Sequence, residues 1–88
     1  MNSVLEQAIE YYGKPHQQMK AIEELGELQQ AILKALDDRL DLKNIIEEIA
    51  DVEVTLAQLK MIFKIDPIEL DVVKKQKILR LESRMVAK

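Results

Sequence analysis

The stretch Asn44-Ile45-Ile46-Glu47-Glu48-Ile49-Ala50-Asp51-Val52 decides how the rest of the chain has to be arranged. Successive helical residues turn by about 100°, so Ile45, Ile49, Val52, Leu56, Leu59 and Phe63 form one apolar stripe. Ala50, Val54, Ala57 and Met61 form a second. Between them runs a narrow polar row of Asn44, Glu48, Asp51, Thr55 and Gln58. A helix that is apolar on two sides is sandwiched between neighbours. Polar groups at the edge of buried surface are costly unless hydrogen-bonded or bound to metal. The stretch therefore predicts a helical bundle with a polar site inside it.

This helix is expected from Asp41, placed to cap it, to about Lys64. Upstream, Ser3 can cap a first helix that runs through Tyr12, with Val4, Leu5, Ala8, Ile9 and Tyr12 inward and Gly13 placed to end it. Lys14-Pro15-His16 reads as the connection, with Pro15 in the linker or in the first turn of the second helix. That second helix is expected from about Gln17 to Leu36. Its projection gathers Ala21, Ile22, Leu25, Leu28, Ile32 and Leu36 on one side, and Lys20, Glu24, Glu27, Ala31 and Lys34 on another. Gly26 inside it costs up to about 1 kcal/mol against Ala, which points to a close approach by another backbone or a bulky group. Asp37-Asp38-Arg39 is a polar turn. Asp66-Pro67-Ile68-Glu69 starts a fourth helix, with Asp66 as N-cap, Pro67 at N1 and Glu69 at N3, running to about Met85. Its inner residues are expected to be Leu70, Val73, Ile78 and Leu81.

Composition sets the class. The 88 residues suit one domain with a modest core, and 48% hydrophobic with only 3% aromatic content means a core of aliphatic side chains. Two Gly and two Pro leave little room for strands and turns, so the fold class is all-α. Without cysteine there is no disulfide framework and no thiolate ligand or nucleophile. No signal peptide is recognisable and no stretch approaches 18 uncharged apolar residues, so a soluble, cytoplasmic protein with no membrane partner is expected.

The net charge of −3 divides unevenly. Residues 1–66 hold 7 basic and 13 acidic groups, and residues 67–88 hold 6 and 3. An acidic chain without interleaved aromatics is a poor nucleic-acid binder. A basic tail beside an acidic centre suits a polyphosphate held by metal on one side and Lys/Arg on the other.

A second acidic stretch, Glu23-Glu24-Leu25-Gly26-Glu27, sits on the preceding helix. Carboxylates three apart share a face, so Glu24 projects with Glu27 and Glu48 with Asp51. Like charges so placed destabilise an isolated helix by a few tenths of a kcal/mol per pair, and the chain does it twice. Two such pairs on adjacent antiparallel helices make an all-oxygen site of the kind Mg²⁺ or Mn²⁺ prefers and Zn²⁺ does not. A di-iron centre is disfavoured, because such bundles use Glu-x-x-His and the one histidine, His16, lies outside both stretches. Divalent ions there can bind phosphate oxygens and make a bound water nucleophilic at neutral pH. The chemistry such ions support is phosphoanhydride hydrolysis.

Glu-Glu-x-x-Glu followed about twenty residues later by Glu-x-x-Asp resembles the all-α nucleoside triphosphate pyrophosphohydrolases, and most of all their MazG-like branch. The resemblance takes in Tyr12-Gly13, Gln17, Lys20, Ile22 to Leu28, Asn44 to Val52, and Lys77-Ile78-Leu79-Arg80-Leu81. It implies a Mg²⁺-dependent enzyme that cleaves a nucleoside triphosphate between the α- and β-phosphates, giving monophosphate and pyrophosphate. Carried over by residue, Glu24, Glu27, Glu48 and Asp51 match the family's metal ligands. Glu23 and Glu47 match its neighbouring acids, with a ligand, water-positioning or structural role left open. Lys20, Lys77 and Arg80 match basic positions suited to the triphosphate, and Arg84 is a further candidate. The resemblance also implies a helical hairpin completed by dimerisation into a four-helix core, in a homodimer or homotetramer. The chain is short for the group and has no Trp to stack on a base, so base selection stays open.

Two other readings compete. One is a phosphoribosyl-ATP pyrophosphatase or a dUTPase/dCTPase-type enzyme of the same superfamily. The other is a non-catalytic helical dimer or regulatory module in which the acids serve solubility. His16 reads as a surface or cap residue, Tyr11 and Tyr12 as packing groups, and Lys74 and Lys75 as a solvated face.

Overall fold

In the computed structural model, which describes residues 3–86, the chain forms α1 (Val4–Tyr12), α2 (Lys14–Leu36), α3 (Leu42–Ile62) and α4 (Pro67–Val86), with no strand among those residues. The starts of α1, α3 and α4 follow from side-chain caps. Ser3 Oγ accepts from the Glu6 N–H at 3.1 Å, Asp41 Oδ1 from the Asn44 N–H at 3.1 Å, and Asp66 Oδ1 from the Ile68 N–H at 2.9 Å. No helix among the described residues is long and apolar enough to cross a membrane.

The connection expected over Lys14-Pro15-His16 is helical instead. Gly13 alone separates α1 from α2, at φ 93°, while its N–H still bonds to the Ile9 carbonyl at 2.8 Å. A positive φ is tolerated there because glycine has no Cβ. Pro15 then falls in the first turn of α2, where its missing N–H leaves no bond unmade.

α2 and α3 form the central pair, with α1 laid across both. Gln17 meets Gln58 near one end and Glu24 approaches Asp51 further along, so the two helices run antiparallel. On α2 the packed row is Gln17, Ala21, Glu24 and Ala31, all buried, with Leu28 and Ala35 half-buried between them. This alternating four-and-three spacing crosses both sides of the sequence projection. The alanines let α3 approach closely, which leaves Ile22, Leu25, Ile32 and Leu36 exposed. On α3 only the C-terminal end of the polar row turns inward: Thr55 and Gln58 are buried beside Val52, Asn44 and Glu48 are half-buried and Asp51 is exposed, while Ile49, Val54, Leu56 and Phe63 lie exposed on its flanks.

Two expectations are corrected. A Cβ added at Gly26 would meet nothing within 4 Å, so no neighbour within the chain requires glycine there. α4 buries none of its residues and approaches none of the other helices; Leu70 is half-buried, but Val73, Ile78 and Leu81 are exposed. An open groove bordered by Ala57, Met61, Ile65 and Leu70 lies between α3 and α4. The radius of gyration of 16.3 Å reflects this projecting helix, since a closed domain of this length measures about 12 Å.

Candidate metal centre

Pairing of α2 with α3 brings Glu24, Glu27, Glu48 and Asp51 together. One oxygen from each lies within 4.8 Å of the others. The i,i+3 spacing aims each pair along one face, and the antiparallel packing sets the two faces against each other. Glu24 is buried and Glu48 half-buried, while Glu27 and Asp51 open to solvent. The site thus has a closed floor and an accessible mouth.

Its charges are incompletely compensated. Lys20 Nζ lies 3.2 Å from Glu24 Oε1 and 3.8 Å from Glu23 Oε2. The carboxylates beside it, Glu24 above all, push the Lys20 ammonium above its ordinary pKa. Glu24 Oε2 and Glu48 Oε2 are buried with no hydrogen-bond partner. Burial first, and then the negative charge of Glu27, Asp51 and Glu24, raises the Glu48 carboxyl above its ordinary value. Buried orphan oxygens and clustered like charges are costly without a cation. An all-carboxylate donor set of this size fits a hard divalent ion such as Mg²⁺ or Mn²⁺.

The remaining candidates are dispersed. Glu23 and Glu47 are exposed beside the cluster, on α2 and α3 respectively. Lys77, Arg80 and Arg84 are exposed on α4, away from the carboxylates within one chain. His16 is exposed, stacks on Tyr12 at 4.9 Å between ring centroids, and places Nδ1 2.8 Å from Gln17 Oε1.

A second polar feature adjoins the cluster. Gln17 Nε2 donates to Gln58 Oε1 at 3.1 Å, Gln58 Nε2 donates to the Leu5 carbonyl at 3.3 Å, and Thr55 Oγ1 donates to the Val52 carbonyl at 3.0 Å. The network stitches α1, α2 and α3 together. Thr55 and Gln58 belong to the polar row that the helical period of α3 picks out, whereas Gln17, at the expected start of α2, enters the sequence reading only as one position of the family resemblance. A second signal is its position seven residues before Glu24, on the same helical face. No family model matches the chain, and neither a curated protein nor a solved structure matches it.

Proposed function

We propose that the protein is a Mg²⁺-dependent nucleoside triphosphate pyrophosphohydrolase that cleaves the α–β phosphoanhydride to release a nucleoside monophosphate and pyrophosphate. The observation that carries this reading is the convergence of four carboxylates from two helices around buried oxygens that lack partners. That donor set supports divalent-ion chemistry on phosphate oxygens; the reaction, the bond cleaved and the products come from the resemblance to the MazG-like enzymes.

In this reading Glu24, Glu27, Glu48 and Asp51 would hold the divalent ions. When bound, such ions neutralise phosphate charge and lower the pKa of a coordinated water. Water supplies a hydroxyl to one phosphorus and a proton to the oxygen that leaves on the other, so no redox partner is needed. Lys20, half-exposed beside Glu24, offers an ammonium that could pair with a phosphate oxygen at the site. Glu23 and Glu47 are exposed neighbours of Glu24 and Glu48 in sequence and add negative charge on the same two helices.

A second copy of the chain belongs to the same reading. Ile22, Leu25, Ile32 and Leu36 on α2, Ile49 and Leu56 on α3, and Val73, Ile78 and Leu81 on α4 are open apolar surface, more than a monomer of this size ordinarily exposes. Pairing two copies over these faces would complete a four-helix core from two α2–α3 hairpins. It would also give α4 a surface to pack on, and with it a route for Lys77 and Arg80 toward a triphosphate.

The deciding experiment is a panel of ribo- and deoxyribonucleoside triphosphates incubated with Mg²⁺ and scored for monophosphate, pyrophosphate and orthophosphate. Stoichiometric monophosphate and pyrophosphate are expected. Orthophosphate as first product, or no cleavage of any nucleotide, would sink the proposal.

A further inference from the structure

We infer that the cleft between α1 and the α2–α3 pair is the nucleoside subsite, and that Gln17, Thr55 and Gln58 set its selectivity; this rests on the hydrolase reading above. The cleft has a volume of about 260 Å³ and borders Glu24, Asp51 and Lys20. Its position is dictated by bonding: the α-phosphorus carries the sugar's 5′ oxygen, so whatever holds the α-phosphate must have the sugar beside it and the base one step beyond. Clefts that enclose a whole drug-sized ligand run to about 300–1,000 Å³. This one is smaller, which suits a nucleoside whose phosphates remain outside on the carboxylates.

The lining has the mixed character of a recognition site. Leu5, Ala8 and Val54 supply apolar wall, and Gln17, Thr55 and Gln58 supply a polar floor, each of the three more than nine-tenths buried. Such groups are normally silent once paired, but these keep spare capacity. Each amide nitrogen has a second hydrogen, Gln58 Oε1 a second lone pair, and the Thr55 hydroxyl its acceptor side.

The direction of the network is also fixed. The Leu5 carbonyl can only accept, so Gln58 must present Nε2 to it and Oε1 to Gln17. Gln17 must then present Nε2 to Gln58 and Oε1 to His16, which makes His16 Nδ1 a donor. An isolated glutamine could flip to suit either polarity of ligand edge. These two cannot flip without leaving a buried carbonyl or amide unpaired, and a site of fixed polarity rejects a mismatched edge.

The test measures kcat/KM for all eight common ribo- and deoxyribonucleoside triphosphates with Mg²⁺, using the full chain and its variants Gln58→Met, Thr55→Val and Val4→Trp. The first two keep side-chain size while removing hydrogen bonds. Val4, 76% exposed at the rim of the cleft, tolerates bulk without a folding cost. Gln58→Met or Thr55→Val is expected to compress the preference between best and worst nucleotide about tenfold or more. Val4→Trp is expected to penalise two-ring bases more than one-ring bases. A Mg²⁺-dependent rise in Tm retained by each variant shows that the metal site is intact. A uniform fall for every nucleotide, or an unchanged panel, overturns the inference, as does a parent protein with no preference to begin with. Should Gln58→Met not fold, Val4→Trp decides, and an unchanged panel from it is fatal. A parent protein that cleaves no nucleotide overturns the hydrolase reading and this one together; cleavage without selectivity overturns this one alone.

Discussion

Lys20 neutralises one oxygen of Glu24 and leaves the other alone: Nζ sits 3.2 Å from Oε1, while Oε2 is buried without a hydrogen-bond partner. One turn of helix thus supplies one positive charge to a cluster of four carboxylates. The charge left over governs how the fold responds to metal, to pH and to substitution.

Divalent metal should stabilise the fold. An ion that binds only the folded state adds RT ln(1 + [L]/Kd), about 2.7 kcal/mol at a hundredfold excess over Kd. For a chain of this size each kcal/mol moves Tm by roughly 4–8 °C. Thermal melts across millimolar Mg²⁺ should therefore rise and return to baseline with chelator. A flat response would remove the site.

Glu48→Gln should raise the metal-free Tm and abolish the Mg²⁺ response at once. The amide is nearly isosteric, carries no charge and can donate toward Glu27, so it relieves repulsion that only a cation otherwise relieves. Mg²⁺-dependent pyrophosphate release should fall at least about a hundredfold if the carboxylate holds the ion. Loss of metal-free stability in this variant would mean that Glu48 is satisfied by something other than an ion.

Stability should depend on pH in an unusual sense for a carboxylate. Glu48 has a folded-state pKa raised above its unfolded value, so the folded protein binds more protons between the two. Its contribution is fully present below the unfolded value near pH 4.3 and is lost as pH rises through the raised folded value. In chelator, melts taken at rising pH above the unfolded value should show this contribution declining. Saturating Mg²⁺ or Glu48→Gln should flatten the profile, and an identical slope in parent and variant would contradict the assignment.

Gln58→Leu should cost about 1–3 kcal/mol in urea unfolding, because it strands the buried Leu5 carbonyl and Gln17 amide while preserving volume. Neutral behaviour would show that water replaces both bonds.

Gly26→Ala should stabilise α2 by up to about 1 kcal/mol, since a methyl group there meets open space within the chain. Destabilisation, especially with a drop in sedimentation mass, would instead place a second copy against Gly26. The double variant Leu25→Glu, Ile32→Glu, on the exposed face of α2, should shift an oligomer to monomer in sedimentation.

Helix content, the three side-chain caps and the shared face of the polar row on α3 were legible in the sequence because each depends on residues within a turn or two of one another. A cap needs only the spacing from Ser3 to Glu6 or from Asp41 to Asn44, and a stripe needs only the helical period. The pairing of Glu24 with Glu27, and of Glu48 with Asp51, is local in the same sense. Which face of α2 packs is not local. The projection offered a large aliphatic side that includes Ala21 and a charged side that includes Glu24 and Ala31, and contact with α3 selected a row that crosses both, where the small side chains of Ala21 and Ala31 admit a close neighbour. That choice carried Glu24 and Gln17 into the interior and put Ile22 and Ile32 outside. Only the tertiary structure could set one carboxylate pair against the other, thread Gln17 to Gln58 across 41 residues and leave α4 standing clear, because those outcomes depend on surfaces that meet only after the helices have formed.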